Sequence, residues 1–127
     1  MAGMTKIESY LMDLDISYEE VSPTAFFIDD QAKGLPGITI TLDDPIVVVR
    51  ARVMPAPRDK REELFATLLR LNGTDMVHGA YGLDADDVVL IDTLEYETMD
   101  KQEFEAALDS IGLALSRHYG VLGSFRG

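Results

Sequence analysis

Apolar residues recur along this chain with two periods, and each switch of period marks an element. Ile7, Tyr10, Leu11 and Leu14 fall on one stripe of a helix predicted from Lys6 to about Asp13. Thr5 stands where a cap is needed, and Glu8, three residues on, completes a capping box. Ile16 to Asp30 is extended in character: Tyr18, Val21, Phe26, Phe27 and Ile28 are strand formers. Ser22-Pro23 interrupts them, and because proline donates nothing to a ladder, this stretch belongs at an edge or a break. Gln31 to Gly37 reads as a loop, and Ile38 to Leu42 alternates with period two as a half-buried strand. After a turn at Asp43-Asp44-Pro45 comes the strongest strand, Ile46 to Met54. Its continuous Ile46 to Val49 start suits a central position, and the alternating Arg50 to Val53 sends one face into water.

The helical period then returns. Asp59 is the expected cap of a second helix, Glu62 and Glu63 suit its positive end, and Leu64, Phe65, Leu68, Leu69 and Leu71 form its apolar face. Asn72-Gly73 is the expected stop. Val77 to Leu83 and Val88 to Tyr96 form a hairpin across Asp84 to Asp87. The last helix has the clearest start: Asp100 caps it, Glu103 completes a box, and Met99 and Phe104 can form a hydrophobic staple. Phe104, Leu108, Ile111, Leu115 and Tyr119 make its stripe. Gly112 interrupts that stripe at a cost of about 1 kcal/mol against alanine, which close packing against a neighbour would explain. The order is helix, three strands, helix, two strands, helix. Hairpins outnumber helical crossovers, so the class is α+β with an antiparallel sheet packed against helices.

At 127 residues, one domain spanning residues 1–127 is expected. The absence of cysteine excludes disulfides, thiol catalysis and cysteine-ligated metals. With 23 acidic against 11 basic residues, the net charge of −12 opposes nucleic acid and anionic membranes and favours solubility or a basic partner. No apolar run is long enough for a transmembrane helix and no signal-peptide pattern opens the chain, so a cytoplasmic location is expected.

The residues that could carry chemistry are few. His78 and His118 are the only histidines, and no zinc-binding spacing joins them. His118 reads as a helix-end histidine favoured by the dipole, and His78 as a strand or surface residue. None of Ser9, Ser17, Ser22, Ser110 or Ser124 lies in a nucleophile elbow. Counted from Asp84 as a calcium loop, Val88 and Val89 fall where a ligand and a glycine belong. Gly79-Ala80-Tyr81-Gly82 lacks the basic surroundings of a nucleotide clamp and reads as a strand that permits close approach or a bulge. No catalytic residue, metal ligand or cofactor site is therefore expected. The competing reading is an enzyme or small-ligand domain with a pocket using His78, Tyr81 or Arg50.

Several segments resemble the YbjN-like family, which is grouped with the type III secretion chaperone-like fold. They are Leu68-Leu69-Arg70-Leu71-Asn72 closing a helix, Tyr81-Gly82-Leu83-Asp84 opening a hairpin, Val88-Val89-Leu90-Ile91, and the run Leu94 to Leu108. The likeness is clear over the second half of the chain and rests on element order in the first. It implies a compact bacterial α+β subunit that acts by binding a protein client, often as a homodimer, with no catalytic residues to transfer. Secretion chaperones of this fold hold a partly unfolded stretch of an effector, whereas YbjN-like proteins are linked to regulation and stress tolerance. By the same resemblance, the middle helix would build the dimer through Leu64, Phe65, Leu68 and Leu71. Asp29 to Gly37 looks like an insertion between early strands. The combined expectation is a chaperone-like module of the YbjN type, with a true type III effector chaperone as the alternative.

Overall fold

A computed structural model describes residues 5–76 and 78–126. The elements are α1 (Lys6–Asp13), β1 (Tyr18–Ser22), β2 (Ala25–Asp30), β3 (Leu35–Asp43), β4 (Ile46–Pro55), α2 (Arg61–Thr74), β5 (Ala80–Asp84), β6 (Asp87–Glu95) and α3 (Lys101–Gly123). The α+β class stands: three helices accompany one six-stranded antiparallel sheet of order β1-β2-β3-β4-β6-β5. Four strands, not three, precede α2, because Ser22-Pro23 turns a hairpin instead of merely interrupting a strand. Ser22 pairs with Ala25 across it. The loop expected over Gln31 to Gly37 shrinks to a single 3-10 turn, Gln31–Lys33, with Gly34 at φ 69 as its left-handed exit. Leu35 already pairs with Asp30, so ladder formation claims residues whose local signals favour a loop.

Register explains the core. One row crosses all six strands as Tyr18, Ile28, Ile38, Ala51, Leu90 and Tyr81. The adjacent row crosses as Glu19, Phe27, Thr39, Arg50, Ile91 and Ala80. Successive residues of a strand point to opposite faces, so the two rows belong to opposite sides of the sheet. The first side is closed. Ile28, Ile38, Ala51, Leu90 and Tyr81 are buried, and they share one core with Ile7 and Leu11 of α1, Leu64 and Leu68 of α2, and Phe104, Leu108 and Ile111 of α3. Each large aliphatic or aromatic side chain buried there contributes roughly 1.5–3 kcal/mol. The second side remains open to solvent.

The helices that close the inner side start differently. Thr5 caps α1 by accepting from the Glu8 amide, and Asp100 with Glu103 completes both halves of the capping box on α3. Asp59 does not cap α2. The N-cap is Lys60, at φ 60 and with no side-chain capping bond. Arg61 donates to the Pro57 carbonyl and the Asp86 carboxylate at this turn, and Ala56 donates its amide to the Asp86 carbonyl, so the β4–α2 connection is held by the β5–β6 turn. Nor does α2 stop at Gly73; it runs to Thr74. Gly112 has the reason anticipated for it: a Cβ there would stand 3.2 Å from the Gly34 carbonyl oxygen, so α3 crosses the 3-10 turn closely. Val77, expected to open the penultimate strand, lies outside the described residues, and β5 begins at Ala80. Gly79 sits at φ 80, with space for a Cβ blocked 2.8 Å away by the Ile91 carbonyl oxygen.

Candidate protein-binding surface

The residues that could have formed an active site divide: His78, Ser110 and His118 line one small cavity, with Tyr81 bonded to His118, while Arg50 stands apart. Arg50 and Tyr81 are on opposite faces of the sheet, since Arg50 pairs with Ile91 while Tyr81 pairs with the adjacent Leu90. Arg50 is engaged with Asp84 at 3.0 Å. His78 is exposed. His118 is only 3% exposed, and α3 continues beyond it to Gly123, so its place is not explained by the helix dipole. Its Nδ1 meets the Tyr81 hydroxyl at 2.7 Å and its Nε2 meets the Asp75 carboxylate at 3.1 Å. A carboxylate only accepts, so Nε2 carries a proton, and in the neutral ring Nδ1 accepts from Tyr81. Both nitrogens are then committed. The adjoining cavity, which His78 and Ser110 also line, has a volume of about 80 Å³, room for a few waters at ~30 Å³ each. Burial, then the Asp75 charge, pushes the Tyr81 phenol up to about 12, which keeps it a neutral donor. The Thr74 hydroxyl, then His118, hold the Asp75 carboxyl below its ordinary value.

This cluster does structural work at one edge of the sheet. Asn72 lies one turn beyond Leu68 on the inner stripe of α2, and its amide bonds both backbone groups of Tyr81: Oδ1 accepts from the Tyr81 amide at 2.7 Å and Nδ2 donates to its carbonyl at 3.1 Å. A side chain thus occupies the backbone pair that a seventh strand would use. Tyr81 is tied through its hydroxyl to α3 and through its backbone to α2. In sequence Asn72 reads as a helix-stop residue, and no local signal marks it as the partner of a strand nine positions away.

The opposite edge has no such closure. Among the described residues no strand lies beyond β1 in the sheet order, and its Glu19, Glu20 and Val21 are exposed, Val21 at 63%. A strand edge of this kind presents unpaired amides and carbonyls to any extended segment. It continues onto the open face of the sheet, where Phe27 is 37% exposed and Thr39, Thr41, Val48 and Ile91 are half-buried. A hollow of about 480 Å³ on that face is lined by Phe27, Thr39, Val89 and the pairs Arg50–Asp84 and Arg52–Asp87, each at 3.0 Å. Exposed ion pairs of this kind contribute at most about 1 kcal/mol each. They serve the surface as neutralised, displaceable groups more than as braces.

The proposed dimer residues divide. Leu64 and Leu68 are buried in the chain's own core and Phe65 and Leu71 are half-buried; Leu69, not among the four, is 71% exposed on the same helix. Among the described residues no helix is long and apolar enough to cross a membrane, and no group of three or more metal-ligating side chains comes together.

Comparison with known proteins places this architecture. The family model CesT_Tir_1, a type III secretion chaperone family, matches residues 2–126. No curated protein matches the sequence. Among solved structures, a chain of the heterodimeric ExoU–SpcU complex from the type III secretion system of Pseudomonas aeruginosa superposes with a TM-score of 0.71. It has 13% identity and covers 87% of this chain and 93% of that one. YbjN from E. coli superposes at 0.68 with 17% identity, over 94% and 93%. The Yersinia pestis type III secretion chaperone SycH, solved with a fragment of YscM2, is represented at 0.60 with 14% identity, over 87% and 93%.

Proposed function

The chain belongs to the CesT_Tir_1 family, and from that premise we propose that it is a non-enzymatic, chaperone-like module of the YbjN type. It holds an extended segment of a protein partner along the free β1 edge and the adjoining open face of the sheet. The observation that carries this reading is the asymmetry of the sheet: on β5 the backbone pair of Tyr81 is filled by Asn72, while among the described residues no strand follows β1 and its side of the sheet faces solvent. Backbone pairing would supply affinity, and Phe27 with its β-branched neighbours would select alternate side chains of the segment. Glu19 and Glu20 favour a segment carrying lysine or arginine. The location is cytoplasmic. A homodimer would form through the outer side of α2, where Leu69, Phe65 and Leu71 offer apolar surface and Leu64 and Leu68 support it from beneath. A true type III effector chaperone is the second reading, supported by the likeness to chains solved in secretion complexes. The likeness to YbjN, over 94% of this chain, supports the first.

The test is affinity capture from the native host with the wild type and with Phe27→Asp, followed by mass spectrometry and light scattering of the purified protein. A partner retained by the wild type and lost by the variant is the expected result. Equal capture by both removes the open face from the mechanism, and capture of a secreted effector selects the second reading.

A further inference from the structure

We infer that the cleft between the β4–α2 connection and the end of α3 is a second docking site, for an acidic partner segment that carries an apolar anchor. This cleft has a volume of about 750 Å³, within the range of a binding pocket. Pro55, Pro57 and Phe125 contribute apolar lining, and Arg58, Lys60 and Arg126 bring three positive charges to it against the one carboxylate of Asp59. That local excess is opposite in sign to a chain of net −12.

The cations at this cleft are not committed elsewhere. The ion pairs among the described residues use Arg50, Arg52, Arg61, Lys101 and His118. Arg58 and Lys60 enter none of them. Arg126 stands 5.0 Å over the Tyr119 ring, a contact that leaves its donors free. Solubility gives no reason for the cluster, because a strongly acidic chain gains none by gathering its cations beside apolar residues. Two proline side chains and a phenylalanine can take an aliphatic or aromatic side chain at little entropic cost, and the flanking cations then discriminate for carboxylates beside that anchor. The charge preference is the reverse of that at β1, where Glu19 and Glu20 select a basic strand. The two sites therefore do not compete for one segment, and neither reading depends on the other.

The probe is a pair of fluorescein-labelled peptides of about ten residues, one alternating Glu with Leu and Phe, the other identical with Lys for Glu, measured by anisotropy at low and high salt. The acidic peptide should bind saturably, more weakly at high salt, and the lysine peptide should not bind this site. Lys60→Glu and Arg126→Glu should each weaken binding about tenfold, with thermal melts not lowered, because both side chains are exposed and a carboxylate at the α2 N-cap suits the positive end of the helix. Glu19→Lys/Glu20→Lys should leave it intact. The inference fails if the acidic peptide shows no saturable binding, or if the two charge reversals leave its affinity unchanged. It also fails if the lysine peptide binds equally in a manner sensitive to those reversals. Concentration-dependent growth in mass abolished by Lys60→Glu would assign the cleft to a second copy instead, and so overturn the proposal.

Discussion

Two tyrosines end the same row of the sheet and meet opposite fates. Tyr81, on β5, is buried, shares its backbone pair with Asn72 and donates its hydroxyl toward His118. Tyr18, on β1, is half-buried; its ring packs edge-on against Phe26 and its hydroxyl donates to Glu8 of α1 at 3.1 Å. The difference shows what closing a sheet edge requires. At β5, side chains from α2 and α3 take the place of a further strand at Tyr81, whose amide, carbonyl and hydroxyl all have partners. At β1 the chain supplies two carboxylates and leaves the backbone to solvent. Glu19 and Glu20 repel a second copy of the same edge, which guards against self-pairing while remaining permissive to a basic segment. One edge is therefore built for stability and the other for association.

That contrast can be broken most severely at His118. Its replacement by alanine leaves the Tyr81 hydroxyl without its acceptor and opens a hole under α3. A loss of about 3 kcal/mol is expected in urea unfolding, whereas Tyr18→Phe should cost less than about 1 kcal/mol. Equal costs at the two ends would mean that the β5 cluster braces nothing. A smaller effect is expected from Asn72→Ala. Two backbone groups of Tyr81 lose their partners at a half-buried site, for about 2 kcal/mol. The Tyr81 amide should exchange with solvent much faster than in the wild type while the Ile40 and Val49 amides keep their protection. Unchanged exchange at Tyr81 would show that the edge is closed by the bulk of α2 alone.

The mildest probe is alkali. Burial and the Asp75 charge raise the Tyr81 phenol from 10.0 to about 12. The folded chain therefore keeps a proton that the unfolded chain has already lost between those values, and stability falls as pH rises through that window. Burial and Glu8 also raise Tyr18, at the open edge. Absorbance titration of the tyrosines should show a late step at about pH 12 from Tyr81. Tyr81→Phe should remove that last step and flatten the decline in stability above pH 10, and persistence of the step in the variant would assign it to another tyrosine.

Local signals were legible wherever they needed only neighbours in sequence. The Thr5 cap, the Asp100–Glu103 box, the alternation of Ile38 to Leu42 and the close approach implied by Gly112 could all be anticipated. The α2 start was not, because Asp86, twenty-five positions from Arg61, helps hold the connection that Asp59 was expected to cap. The turn at Ser22-Pro23 was recognised as a break but not as a hairpin, since its pairing of Ser22 with Ala25 gains its value only when β3 continues the ladder. His118 read as a helix-end residue suited to the dipole, and that reading failed because its actual partners are 37 and 43 positions away.

By itself the sequence determined the period of each segment, the caps of two helices, the α+β class and the acidity of the surface, because each follows from residues within a few positions or from a sum over the whole chain. Only the tertiary structure decided which edge of the sheet is shut. That outcome depends on Asn72, Asp75 and His118 arriving together around Tyr81, and the spacing of residues along a chain does not say which distant side chains will meet.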